Sequence, residues 1–188
     1  RGVLLFGMLG GMLLSCGNKK SNDSQEQKKD SKVNEKVYKI GLSQIVDHPA
    51  LNAAKQGFKD ALAKAGVKAD YDDKIANNDM SNQTLIMQQF AADKKDLVFA
   101  ITTPTAQAAK NQIGKETPVI FGSVTDPKSA GLVGIPNVTG TSGAAPITEN
   151  LKLMRELLPE AKKIGIIYNS SEQNSVSEVN NLKKLAGE

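Results

Sequence analysis

From Tyr38 onward, apolar runs of strand length alternate with stretches in which apolar residues recur every three or four positions, a pattern open to few architectures. Residues 38–46, 68–75, 96–102 and 117–124 read as strands, and 132–135 as one more short strand. Between them, 49–65, 81–92 and 104–113 carry helical spacing, with Gly66 as the stop of the first helix. Parallel neighbours need a crossover, and the crossover is usually a helix, so the fold class is α/β: a flavodoxin- or Rossmann-like parallel sheet lobe with helices on both faces. This first lobe spans 37–143 and ends in a Gly/Thr/Ser-rich connection at 137–143. Residues 144–188 then read as the start of a second α/β lobe, with a helix over 147–158, a strand over 163–168 and a helix after Ser175. Ser175 and Glu178 have the S-x-x-E spacing of a capping box, which supports that last boundary.

Ahead of the alternation the chain is different in kind. Residues 3–14 form an apolar, Gly-containing run, shorter than the roughly 20 residues that a spanning helix needs but suited to the core of a signal segment. It ends in Leu13-Leu14-Ser15-Cys16, which resembles a bacterial lipobox. Residues 1–16 are therefore expected to be a signal peptide, with Cys16 as the site of lipid attachment. Residues 17–36 hold Val33 as their only apolar residue besides Gly17, too little to offset ordering entropy, and are expected to form a solvated tether. The chain opens on Arg1 and closes at Glu188 within a helical pattern, so it reads as a piece of a longer protein with its second lobe truncated.

Composition removes several classes of function. With Lys+Arg at 24 against Asp+Glu at 20, the net charge of +4 is small, and no basic stripe with interleaved aromatics is present for a nucleic acid. A single cysteine leaves no internal disulfide and no multi-cysteine metal site, and no cofactor is expected. A lone histidine, His48, lies beside Asp47 in a loop, where capping or a single contact suits it better than catalysis.

A ligand site follows from topology. In open parallel sheets the crevice lies beyond the carboxyl ends of the strands, where strand order reverses. For the order 2-1-3-4-5, the first and third strands flank that point, and the loops there are Ser43-Gln44-Ile45-Val46-Asp47-His48-Pro49 and Thr102-Thr103-Pro104-Thr105-Ala106-Gln107. Each proline suits the first turn of the following helix. A helix start offers unpaired N–H groups and partial positive charge, and Thr103 and Thr105 add hydroxyls, so an anion such as a carboxylate is expected there; N-capping is the alternative use of Thr103. Asp126 reaches the same edge after the fourth strand and could pair with an ammonium, although Asp-Pro is also a turn starter. A further polar loop over 169–175 would face the first lobe across a cleft. One helix terminus contributes about 0.3–2 kcal/mol against the roughly 8 kcal/mol of micromolar capture, so a clamp closing from two sides makes physical sense.

At these loops the sequence resembles the substrate-binding proteins of ABC transporters, in particular the group related to tryptophan- and tyrosine-binding lipoproteins. The matching stretches are Ile40 through Leu51, Ala100 through Ala108, Val124-Thr125-Asp126-Pro127, Asn137 through Ser142, and Ile167-Tyr168-Asn169 through Glu172, Asn174 and Ser175. The resemblance implies a two-lobed periplasmic-binding-protein fold, hinged and closing on an amino acid or similar solute. It implies Ser43, Gln44, Thr103, Thr105 and Asp126 as first-lobe contacts, and Asn169, Glu172, Asn174 and Ser175 as second-lobe contacts. It implies as well an extracytoplasmic, lipid-anchored monomer working with a permease and an ATPase, and no enzyme activity. A sugar- or nucleoside-binding protein of the same architecture is the nearer alternative, disfavoured by Trp at 0 and by Phe and Tyr residues that mostly read as core. An exported α/β enzyme is the more distant one: G-x-G-x-x-G, the phosphate loop, G-x-S-x-G and a second histidine are all absent.

Overall fold

The structure, a computed structural model, describes residues 36–187. The signal segment 1–16 with Cys16, and the tether 17–36 apart from Lys36, lie outside the described residues. In chain order the elements are β1 (Tyr38–Gln44), α1 (Pro49–Lys64), β2 (Ala69–Ile75), α2 (Met80–Ala92), β3 (Leu97–Ile101), α3 (Thr103–Gln112), β4 (Val119–Val124), β5 (Val138–Ser142), α4 (Ile147–Leu157) and α5 (Gln173–Ala186). The strands form one sheet in the order β2-β1-β3-β4-β5, every pair parallel. Strand order therefore reverses between β1 and β3, where the doubly wound reading required it.

The sheet is covered on both faces. On one, Ile40 and Leu42 of β1 and Phe99 and Ile101 of β3 pack with Leu51, Phe58 and Leu62 of α1, and the Phe58 and Phe99 rings stack at 4.3 Å. On the other, Val98, Ala100, Val119 and Phe121 meet Ile86, Met87 and Phe90 of α2 and Ala106, Ala108 and Ala109 of α3. Full burial of a side chain such as Phe90 or Met87 stabilises by about 1.5–3 kcal/mol, and both are 0% exposed. Helix starts are set locally. His48 caps α1, its Nδ1 accepting from the Ala50 N–H at 3.2 Å, and Asp79 caps α2, its Oδ1 accepting from the N–H groups of Ser81 (2.7 Å) and Asn82 (3.2 Å).

Four expectations need correction. Residues 132–135 are not a strand: Gly131 and Gly134 take φ of +68° and +81°, and these turns deliver Leu132 into the core at 1% exposure. The fifth strand lies in 137–143, read as a connection; β5 is an exposed, polar edge strand. Its Gly140 runs so close to β4 that an added Cβ would sit 2.0 Å from the Phe121 carbonyl oxygen. Residues 163–168 form no strand, because no neighbouring chain among the described residues pairs with them. Finally, α5 starts before Ser175: Glu172 is its N-cap, so Ser175 lies inside the first turn and the capping box does not form.

Candidate functional site

The carboxyl ends of β1 and β3 converge with the starts of α2 and α3. Ser43 and Gln44, the last residues of β1, point to opposite faces and are both 0% exposed. Gln44 turns toward α1, where its Nε2 donates to Asn52 Oδ1 (2.8 Å) and to the Val46 carbonyl (3.0 Å). Asn52 in turn donates to Asp47 Oδ1 at 2.8 Å, which ties the β1–α1 loop to its helix. Ser43 turns toward α2 and α3. There Gln83 Nε2 donates to Ser43 Oγ at 3.0 Å, and Thr105 Oγ1 donates to Gln83 Oε1 at 3.1 Å.

The start of α3 is unusual. Its N-cap is Thr102, not Thr103, and Thr102 holds φ +82° and ψ 163° without a side-chain cap bond. This region of backbone space is essentially reserved for glycine; for a β-branched residue it stores about 1–3 kcal/mol. Pro104 has no N–H and the Ala106 N–H bonds the Thr102 carbonyl, which leaves the N–H groups of Thr103 and Thr105 as the donors of the first turn without a partner among the described residues. Thr103 and Thr105 are 2% and 0% exposed. Four buried side-chain polar atoms lack a hydrogen-bond partner among the described residues: Gln44 Oε1, Thr102 Oγ1, Thr103 Oγ1 and Asn174 Oδ1. Three of them stand on the two loops at the reversal point. Each such atom costs about 1–3 kcal/mol, a cost that a ligand with matching groups removes.

Strain gathers on this edge. Besides Thr102, Asn77 (φ +55°) and Asn78 (φ +61°) follow β2, and Ser123 (φ +57°) sits in the irregular end of β4. Asp126 is taken up by its own turn: it accepts from the N–H groups of Lys128 (3.0 Å) and Ser129 (3.1 Å) and from the Ser129 hydroxyl. The Ser129 hydroxyl first, then its backbone, hold the carboxyl below the usual carboxylate range. The loop before α5 is similarly self-contained, with Asn169 Nδ2 donating to Glu172 Oε1 at 2.9 Å and Asn169 Oδ1 accepting from Ser171. Asn174 and Ser175 enter the first turn of α5, and α5 packs against α3.

Gln83 was not foreseen. The signal was present: 83, 86, 87 and 90 are the buried stripe of α2, and Gln83 is its one polar member. A groove of about 830 Å³ lies away from this edge, between α4, residues 158–168 and α5, lined by Leu151, Met154, Leu158, Ile166, Tyr168 and Leu182 among others. Arg155, Lys162 and Lys183 line it beside these apolar residues. Among the described residues no cluster of side chains could hold a metal ion, and no helix is long and apolar enough to cross a membrane.

These features define an open α/β lobe of the kind that receives a small ligand at the reversal of its strand order. The chain belongs to the ABC transporter substrate-binding protein family, whose model matches residues 39–188. It is 46% identical to a tyrosine-binding protein of Clostridioides difficile over 98% of this chain and 56% of that protein. A solved conserved domain protein from Vibrio cholerae superposes with a TM-score of 0.77 at 39% identity, covering 81% of this chain and 54% of the other. A solved ABC domain from Streptococcus pneumoniae in complex with L-Trp does so at 0.73 and 37%, covering 79% and 52%. The chain thus spans about half the length of the relatives it matches.

Proposed function

We propose that the protein is the extracytoplasmic solute-binding component of an ABC importer, and that it captures an amino acid, most suitably an aromatic one, in a cleft between two lobes. The observation that supports this reading is the set of buried atoms without a partner among the described residues, Gln44 Oε1 at the end of β1 and Thr102 Oγ1 and Thr103 Oγ1 at the start of α3, on the two chain segments that flank the reversal of strand order. The N–H groups of Thr103 and Thr105 and the Thr103 hydroxyl are donors suited to a carboxylate; Gln44 Oε1 is an acceptor suited to an ammonium. Ser43 and Thr105 shape this edge from within. Asp126 supports the neighbouring turn, and Asn169, Glu172, Asn174 and Ser175 supply the opposing side from residues 144–188, the start of the second lobe. The relatives named for tyrosine and solved with L-Trp support the aromatic class. Cys16 is the lipid attachment site, 17–36 the tether, and a permease and an ATPase are the partners of a monomeric, non-enzymatic protein.

Calorimetric titration of the intact protein with L-tyrosine, L-tryptophan, L-phenylalanine, a hexose and a nucleoside tests the proposal. Micromolar or tighter binding of an aromatic amino acid, weakened about tenfold by Thr103→Val, is the expected result. Heat with the sugar or nucleoside alone, or with none of the five, refutes it.

A further inference from the structure

Gln83 is 0% exposed among apolar neighbours on α2. Burying an amide is costly unless its groups are bonded, and a methionine would fill the same space without that cost. Its amide reaches two side chains of other elements. Nε2 donates to Ser43 Oγ at the end of β1 (3.0 Å), and Oε1 accepts from Thr105 Oγ1 in the first turn of α3 (3.1 Å). Apolar packing between α2, α3 and the sheet is non-directional and tolerates small slides. Hydrogen bonds fix distance and angle, and among the described residues this bridge is the side-chain tie that joins β1, α2 and α3 at the edge where the partnerless Thr103 Oγ1 lies.

We propose that Gln83 is a positioning residue for the solute's carboxylate. By joining Ser43 to Thr105, it holds the first turn of α3 at a set height above β1, and so fixes where the Thr103 hydroxyl and the free N–H groups of Thr103 and Thr105 point. Gln83 itself touches no solute. The inference rests on the carboxylate reading of the α3 start, and it makes acid-over-amide selectivity the property that Gln83 controls.

The test is calorimetric titration of the intact protein and its Gln83→Met variant with L-tyrosine and L-tyrosinamide, or L-tryptophan and L-tryptophanamide. The unaltered protein should prefer the acid by tenfold or more. Gln83→Met should lose about tenfold in affinity for the acid and less than twofold for the amide, so that the preference shrinks. Thr105→Val cuts the same bridge and guards against a misfolded first variant; it should shrink the preference equally, with the double variant no worse than either single one. An undiminished preference in Gln83→Met or in Thr105→Val, or equal losses for acid and amide, overturns the role of Gln83 alone. Absence of any acid preference in the unaltered protein overturns the carboxylate reading and this inference with it.

Discussion

Thr102→Gly should make the protein more stable. At φ +82° and ψ 163° the threonine stores about 1–3 kcal/mol of backbone strain. Its Oγ1 is buried without a partner, worth about another 1–3 kcal/mol. Against this stand the extra unfolded-state entropy of glycine, about 0.5–1 kcal/mol, and the lost methyl, about 0.8 kcal/mol. Taken at mid-range, the net is a gain of about 2.5 kcal/mol, at about 3 °C in Tm for each kcal/mol in a chain of this size. Urea denaturation read by far-UV circular dichroism measures it, and Thr102→Ala isolates the backbone contribution. At an ordinary position glycine is less stable than alanine by about 0.5–1 kcal/mol; here the order should invert. The same glycine should bind an aromatic amino acid about tenfold more weakly, since it frees the loop and removes the hydroxyl. A Thr102→Gly protein less stable than Thr102→Ala would refute the claim that this backbone is strained.

Lys94 ends α2 in the left-handed region at φ +51°, where Gly66 ends α1 at +73°. Lys94→Gly should therefore stabilise by about 1 kcal/mol in the same denaturation assay. Gly41→Ala would place a Cβ 2.6 Å from the Phe90 ring, costing about 1–3 kcal/mol; Phe90→Leu in the same chain should recover part of it. Acid should destabilise the fold with a definite sign. Burial works to raise the Asp72 pKa, but the bonds and charges of Lys95 (2.8 Å) and Lys74 (3.3 Å) outweigh it and hold it down. Asp96 is held down by Lys36 and by the Lys39 N–H. Carboxyls depressed on folding stabilise above their unfolded pKa of about 3.9 and lose that contribution as pH falls through the folded value. Unfolding free energy should be level above about pH 5 and drop below about pH 4, and Lys95→Met should make the acid limb shallower.

The sheet order and both loops of the candidate site were legible because the interior strands β1, β3 and β4 are short runs rich in apolar residues, separated by stretches of helical spacing. What misled was context. Leu132, Val133 and Ile135 make a short apolar run like that of a strand, yet two positive-φ glycines fold them into turns. Val138-Thr139-Gly140-Thr141-Ser142 looks like a loop because an edge strand needs no second apolar face, and because its glycine answers to the Phe121 carbonyl. Residues 163–168 have the composition of a central strand, but a strand exists only against a neighbour; Ile167 is fully exposed. At the site, Thr103 and Gln44 could be placed from topology, whereas the strain at Thr102 and the bridge through Gln83 depend on dihedrals and on packing between elements distant in sequence.

Asp96 binds Lys36 Nζ at 2.8 Å through one oxygen and the Lys39 N–H at 2.8 Å through the other, while its own N–H donates to the Lys39 carbonyl at 2.8 Å. This clasp sits at the amino ends of β1 and β3. With seven residues in β1, it lies about 20 Å from the mouth formed by Gln44 and Thr102. A pull arriving along the chain before Lys36 would be borne by two adjacent strands at the floor of the lobe. The mouth, at the far end of β1, would be spared that load.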